Sequence, residues 1–444
     1  MNLFNNSRSN GLPLYLFRIV FGVFLLLSSL SIIKKITLRH IMHTAEIYIP
    51  YFNFIPLPSY TASLILVCTL SLLSIFFMIG YRFKLASGLI FLISLYFFSL
   101  HMERFNNHYY LVLLILLLFT VSDAGKGLSL TKEKAPESIP SWQLNLLRFQ
   151  CAIPYFFSGI QKLLDNDWRS GALMQHRLRN LTPHSLFSQI DSYTIGSIVA
   201  KLAITFDIAI GFLLINKKTR RWAAIPFLGF HLINHFIIFG KIAGRDSVGV
   251  FPHIAIASLI IFFDGDEISK GLSILKEKFN QFQLKLSNQV LTLQKSIFRP
   301  YIVSIILSII ILFPIYRYAN YTQTYWKDLR IGTWNSHALK KTGFLDIYYQ
   351  HNQTGEWILY IPRTNLFIPH YKALESPEGH YQLAQNLKSQ MESTGLFVPY
   401  VGFISEIVIN GSKVKKFQGI LPWEELTEQL FETEFTKSIP ETKQ

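Results

Sequence analysis

Long runs of apolar residues, separated by short polar connections, fill most of this chain. An α-helix needs roughly 17 to 25 such residues to cross the hydrocarbon core of a bilayer. The pattern predicts nine membrane spans, of which the third, fourth and eighth are short: residues 12–33, 59–80, 85–100, 109–121, 142–161, 195–215, 222–239, 248–263 and 301–319. We therefore expect a polytopic α-helical membrane protein with about nine transmembrane helices.

After the last apolar run, the pattern changes to the alternation of apolar and polar residues that is typical of strands. Residues 343–361 predict a β-hairpin, residues 402–410 begin a second one, and residues 381–393 predict a helix. The chain is accordingly divided into a helical bundle, residues 1–319, and a C-terminal strand-rich α+β extramembrane domain, residues 320–444.

The charge distribution predicts an orientation in the membrane. Half of the residues are hydrophobic, the mean hydropathy is +0.30 and the formal net charge is +15. Lys and Arg are concentrated in one set of alternate connections, including residues 217–221, and this set is expected to be cytoplasmic. The N-terminus is then cytoplasmic and the C-terminal domain non-cytoplasmic, with a bacterial plasma membrane favoured over the endoplasmic reticulum. The excess positive charge attracts anionic membrane lipid, and no basic stripe with interleaved aromatic residues predicts a nucleic-acid partner.

Lys162 lies at the outer end of the fifth span, whose other polar residues predict a position inside the helical bundle rather than against lipid. A lysine fixed inside protein loses hydration, which favours the neutral amine, so Lys162 is the candidate base. Asp207, within the sixth span, needs a partner or a proton. Arg18, near the cytoplasmic end of the first span, is able to snorkel. We expect structural roles for Asp207 and Arg18.

His231 and His235 are four residues apart, a spacing that places both on one side of a helix. Three interpretations remain open: a ligand pair for haem or metal, a polar lining of a ligand site, or interhelical hydrogen bonds. A haem pair usually comes from two helices, and a metal site needs a further ligand. Cys68 and Cys151 both lie within predicted spans, so neither a disulfide framework nor a cysteine metal motif is expected.

Several short motifs are similar, in order and spacing, to those of the vitamin K-dependent gamma-glutamyl carboxylases and their microbial relatives in the horizontally transferred transmembrane domain group. They are residues 16–22, 106–111, 155–163, 167–171, 206–213 and 230–234. The resemblance implies that Lys162 deprotonates a reduced naphthoquinone and that His108 is a second catalytic residue. Asn107 and His231 are implied to bind the quinone, and we add His235 and Trp168 to that quinone-binding set.

The resemblance also implies the reaction. A reduced vitamin K-type naphthoquinone, phylloquinol or menaquinol, is converted by O2 to its epoxide, and CO2 is added to glutamate in a peptide or protein partner. This chain departs from the animal enzymes because Gln161 replaces one of their two adjacent lysines, and because it has no cysteine outside the spans to form their disulfide. We therefore predict quinol epoxidation, with carboxylation as an extension of it. The alternatives are a quinone-binding redox or haem membrane protein, or a non-catalytic membrane scaffold.

Overall fold

The computed structural model describes most of the helical region and parts of the C-terminal region. The described residues are 8–41, 50–52, 54–101, 106–130, 138–181, 192–238, 251–278, 300–321, 334, 341–351, 354–360, 381, 383–385, 388, 391–392, 400–409, 415–422 and 425. Their helices are α1 (Leu12–Ile41), α2 (Tyr60–Ile79), α3 (Phe83–Ser99), α4 (Asn107–Val121), α5 (Ser141–Leu164), α6 (Asn166–Ser170), α7 (Ala172–Leu181), α8 (Ser192–Ile215), α9 (Arg220–Ile233), α10 (Phe251–Phe262), α11 (Gly265–Lys278) and α12 (Pro300–Tyr321).

Each predicted apolar run coincides with a helix, but the prediction of nine membrane spans is not confirmed. In the described part of the chain, three helical stretches are long and apolar enough to cross a bilayer: Leu12–Leu38, Tyr60–Ile79 and Thr194–Ile215. Other apolar helices among the described residues are shorter. The apolar helices are those of a membrane protein.

Two tight contacts between α5 and α8 set the position of the helices around the site. A Cβ atom added to Gly159 would lie 2.7 Å from Cγ1 of Ile208, and one added to Gly211 would lie 3.0 Å from Cβ of Ala152. The two glycines therefore let the helix backbones approach closely. The polar residues Gln143 and Gln150 of α5 are also buried, as expected for a helix inside the bundle.

Arg18 does not snorkel. Its side chain is fully buried, and its Nη1 donates hydrogen bonds to the carbonyl oxygens of Ala124, at 2.7 Å, and Gly127, at 2.9 Å. These carbonyl groups belong to the turn that follows α4, so the guanidinium fixes that turn against α1. The structural role expected for Arg18 is confirmed, with carbonyl groups rather than interfacial water as its partners.

The C-terminal strands form one antiparallel sheet. Strand β3 (Lys341–Gln350) pairs with β4 (Trp357–Tyr360) and with β5 (Tyr400–Ile409), and β5 pairs with β6 (Lys415–Pro422), in the order β4-β3-β5-β6. Both predicted hairpins are confirmed, and the described residues between 381 and 392 are helical. A short ribbon was not predicted: β1 (Arg8–Asn10) pairs with β2 (Ser138–Pro140).

A cluster of ion pairs around Asp264 joins α5, α9 and the start of α11. Asp264 accepts hydrogen bonds from Arg220 Nη2 at 2.8 Å and from Arg148 Nη2 at 3.3 Å, and its Oδ2 lies 2.9 Å from Lys217 Nζ. Burial alone would raise the pKa of Asp264, but the hydrogen bonds and charges of Arg220 and Lys217 outweigh it and lower the pKa to about 2. The Asp264 cluster therefore stabilises the fold while the carboxylate is ionised.

We predict that Asp264→Asn lowers the melting temperature of the purified protein at neutral pH. The folded-state pKa is below the ordinary value of about 3.9, so the stabilisation is complete above that value and is lost as the pH falls through about 2. The difference in melting temperature between wild type and variant should shrink over this interval. Asp266→Asn, at an exposed neighbouring carboxylate, is the control; equal melting of wild type and Asp264→Asn at pH 7 would contradict the assignment.

Candidate functional site

Lys162 and Asp207 form a buried ion pair between α5 and α8. Lys162 Nζ donates a hydrogen bond of 2.6 Å to Asp207 Oδ2, and the two side chains are 8% and 4% exposed. Ser158, one turn before Lys162, places its Oγ 3.4 Å from the same carboxylate oxygen. Lys162 is therefore the partner that the buried Asp207 needs. In a low-dielectric interior, each of the two charges is stabilised by the other.

Trp168 covers the ammonium group from another side. Lys162 Nζ lies 4.7 Å from the centroid of the Trp168 ring, a distance suited to a cation–π interaction. The ring is positioned by the short helix α6, whose first residue is preceded by Asp165, and Asp165 Oδ1 accepts a hydrogen bond from the Trp168 backbone N–H at 3.0 Å. The lysine is thus held between a carboxylate and an aromatic face.

A second polar pair involves α5 about two turns before Lys162. Tyr155 Oη and His231 Nε2 are 2.7 Å apart and share a hydrogen bond. Phe251 of α10 packs against both residues, with ring centroids 5.8 Å from Tyr155 and 5.3 Å from His231. It also stacks on His108, at 4.5 Å with an interplanar angle of 14°. Aromatic packing therefore fixes the orientation of these side chains.

These groups line one cavity of about 600 Å³. Apolar and aromatic side chains form most of its wall, including Phe206 and Phe230, which stack on each other at 4.2 Å. Asn107, at the start of α4, also lines it, and Asn107 Oδ1 is buried without a hydrogen-bond partner among the described residues. Such a site, mostly apolar with a few placed polar groups, is the usual form of a small-molecule pocket.

Five of the six predicted site residues line this cavity: Lys162, His108, Asn107, His231 and Trp168. His235 does not, and its ring lies 5.0 Å from that of His253. Helix α9 ends at Ile233, and the next residues form a π-helical turn, Asn234–Ile238. Of the two histidines, His231 lines the cavity and His235 lies in this turn.

The sequence analysis did not assign to the site three residues that complete it. Asp207 was expected to have a structural role, and its pairing with Lys162 depends on a contact between distant segments. Tyr155 was not considered as the partner of His231. Trp334 lies beyond the predicted domain boundary at residue 319, yet it lines the cavity, is buried and packs 5.2 Å from Tyr110.

The geometry gives no support to a haem or metal site. His231 Nε2 already shares a hydrogen bond with Tyr155, and His235 is not among the residues that line the cavity. Among the described residues, no group of three or more His, Cys, Asp or Glu side chains is arranged to hold a metal ion.

A comparison with protein families identifies a domain in this chain. Residues 6–266 of this chain match the HTTM domain. The matched region includes α1 to α10 and therefore all the cavity residues named above except Trp334. No solved structure matches the chain.

A double-mutant cycle tests the coupling of Lys162 and Asp207. Lys162→Met and Asp207→Leu should each destabilise the protein by about 3–5 kcal/mol, because each leaves one buried charge without its partner. The double variant replaces both charges with apolar side chains and should be less destabilised than either single variant. The measurement is denaturant unfolding in detergent, followed by circular dichroism; a double variant destabilised by the sum of the two single effects would show that the charges are not coupled.

Proposed function

This chain belongs to the HTTM domain family, the domain found in members of the vitamin K-dependent gamma-carboxylase family, and from that membership we propose that it oxidises a reduced naphthoquinone, with Lys162 as the base. The observation that carries the proposal is the buried Lys162–Asp207 pair at the wall of a largely apolar cavity. In this proposal the product is the quinone epoxide, and carboxylation of protein glutamate is coupled to it.

The cavity suits a flat, mostly apolar ring that carries two hydroxyl groups. The stacked rings of His108 and Phe251 and the face of Trp168 offer aromatic surfaces to such a ring. Asn107 Oδ1, which is buried without a partner among the described residues, is an acceptor for a hydroxyl proton. A ligand hydroxyl would satisfy this atom, and the apolar walls would exclude water from the reacting groups.

Lys162 has to lose a proton before it can accept one from a quinol. The 2.6 Å hydrogen bond offers a direct route, because transfer of that proton to Asp207 converts the ion pair into a neutral amine and a neutral carboxylic acid. In a dry cavity the neutral pair avoids the desolvation penalty of two charges. Asp207 is therefore proposed to store the proton while Lys162 accepts the proton of a quinol hydroxyl.

Tyr155 and His231 are proposed to hold the opposite edge of the ring. Tyr155 precedes Lys162 by seven residues, two turns along the same face of α5, or about 10 Å at 1.5 Å per residue. That separation is compatible with a ring whose two oxygen atoms lie on opposite edges, with one hydrogen bond at each end. The reduced naphthoquinone supplies the electrons for reduction of O2, and in the carboxylase family this oxidation drives the removal of a glutamate γ-proton and the addition of CO2.

The coupling to carboxylation has its support in the C-terminal region. Trp334 lines the cavity together with residues of the bundle, so the chain beyond α12 contributes to the site. A glutamate-containing peptide or protein would approach through this region. Carboxylation is the extension of the proposal.

We predict that Lys162→Ala abolishes formation of the quinone epoxide from reduced naphthoquinone and O2. Lys162→Arg should fail as well, because a guanidinium group stays protonated and cannot act as a base. The measurement is chromatographic detection of the epoxide with purified protein. Lys201→Ala, at an exposed lysine of α8, is the matched control and should keep wild-type activity; an active Lys162→Arg variant would exclude Lys162 as the base.

A second pair of variants separates the two proposed activities. His108→Ala should lower epoxide yield in the absence of any peptide, because it removes the ring stacked on Phe251 at the cavity wall. Trp357→Ala, in strand β4 of the C-terminal sheet, should leave that yield unchanged and reduce only the incorporation of labelled CO2 into a glutamyl peptide. If both variants lower peptide-free epoxide yield equally, the sheet is a structural part of the quinone site and the separation fails.

A further inference from the structure

We propose that a second cavity, enclosed by α1, α2, α3 and α4, binds an anionic phospholipid. This phospholipid cavity has a volume of about 410 Å³ and is distinct from the Lys162 cavity. Its walls come from all four helices, it opens to the outer surface of the bundle, and it has an apolar end and a basic end. The proposal concerns a separate site, so its binding tests do not depend on the proposed enzymatic function.

The inner part of the cavity is suited to an acyl chain. Leu25, Leu70 and Ile90 are buried there. Ser29 and Ser74 also line it, but each hydroxyl donates a hydrogen bond to a carbonyl oxygen of its own helix, at 2.8 and 2.7 Å. Because both hydroxyls are already hydrogen-bonded, these serines need no water and leave space in the cavity. If that space stayed empty, the side chains around it would lose van der Waals contacts.

The other end of the cavity carries basic and amide groups. It lies where α1 ends and α2 begins, as shown by the stacking of His40 on Tyr60 at 3.9 Å. Lys35 of α1, His101 after α3 and Asn106 before α4 line this end. No carboxylate lines the cavity among the described residues, so the end is complementary to an anionic phosphate group.

The position of the cavity indicates a lipid rather than a peptide. Two residues that line it, Ile32 and Tyr109, are 39% and 48% exposed on the outer surface of the helices. In a membrane protein this surface faces the lipid, so a chain can enter sideways between the helices. A neutral quinone would fit the apolar part but has no charge for Lys35.

The first residues of α4 connect a lipid in this cavity with the Lys162 site. Asn106 and Tyr109 line the phospholipid cavity, whereas Asn107 and His108 line the Lys162 cavity. Asn106 Oδ1 accepts a hydrogen bond of 2.8 Å from the His108 backbone N–H. A lipid headgroup at Asn106 therefore contacts the residue that caps the helix carrying His108.

The test is lipid retention by the full chain in detergent, measured by native mass spectrometry. Wild type should retain phosphatidylglycerol in preference to phosphatidylcholine, and glycerol 3-phosphate, which lacks acyl chains, should not be retained. Lys35→Gln should weaken retention of phosphatidylglycerol about five-fold, the contribution of one basic residue. The matched control is Lys34→Gln, since Lys34 is an exposed neighbour that does not line the cavity.

A variant that fills the cavity tests the proposal independently of the charge of Lys35. Ser94→Trp should abolish retention of phosphatidylglycerol, whereas Leu95→Trp, at a neighbouring position exposed on the outer helix surface, should not. Melting curves of both variants verify that they are folded. Equal effects of Lys34→Gln and Lys35→Gln, unchanged retention by folded Ser94→Trp, or preferential retention of menaquinone at this cavity would each overturn the proposal.

Discussion

Burial of one lysine and one aspartate in an apolar helical bundle is the constraint on which the rest of this structure depends. Removing either charge from water costs several kcal/mol, and only close pairing offsets much of that penalty. Lys162 and Asp207 come from different helices, so the pair forms only if α5 and α8 approach closely. Gly159 and Gly211 permit that approach, and Trp168 closes the remaining side of the ammonium group.

The same burial allows the Lys162–Asp207 pair to exchange a proton. A short hydrogen bond between two buried groups allows a charged form and a neutral form that differ only in the position of one proton. Exchange between the forms needs no water and leaves the net charge of the pair unchanged. In the neutral form, the proposed base Lys162 lies next to apolar surfaces, and Tyr155, His231 and Asn107 line the same cavity. We regard this combination as the physical basis of the proposed quinol oxidation.

The sequence was informative wherever a local pattern determines the structure. Apolar runs located the helices, alternating residues located both C-terminal hairpins, and five predicted site residues share one cavity. Contacts between distant segments were not predictable in this way: the Lys162–Asp207 pair and the insertion of Trp334 depend on how helices pack. His235 lies in the π-helical turn after Ile233 and does not line the cavity, and the sequence pattern gives no signal for such a turn.

The absorbance spectrum of a bound quinol would show whether this cavity takes a proton from it. Reduced menaquinone would be added to the purified protein without oxygen at neutral pH, so that binding and deprotonation occur but oxidation cannot. We expect the bound quinol to have the spectrum of its anion, while free quinol in the same buffer has the spectrum of the neutral form. A bound quinol with the neutral spectrum would exclude proton transfer from the quinol to the cavity.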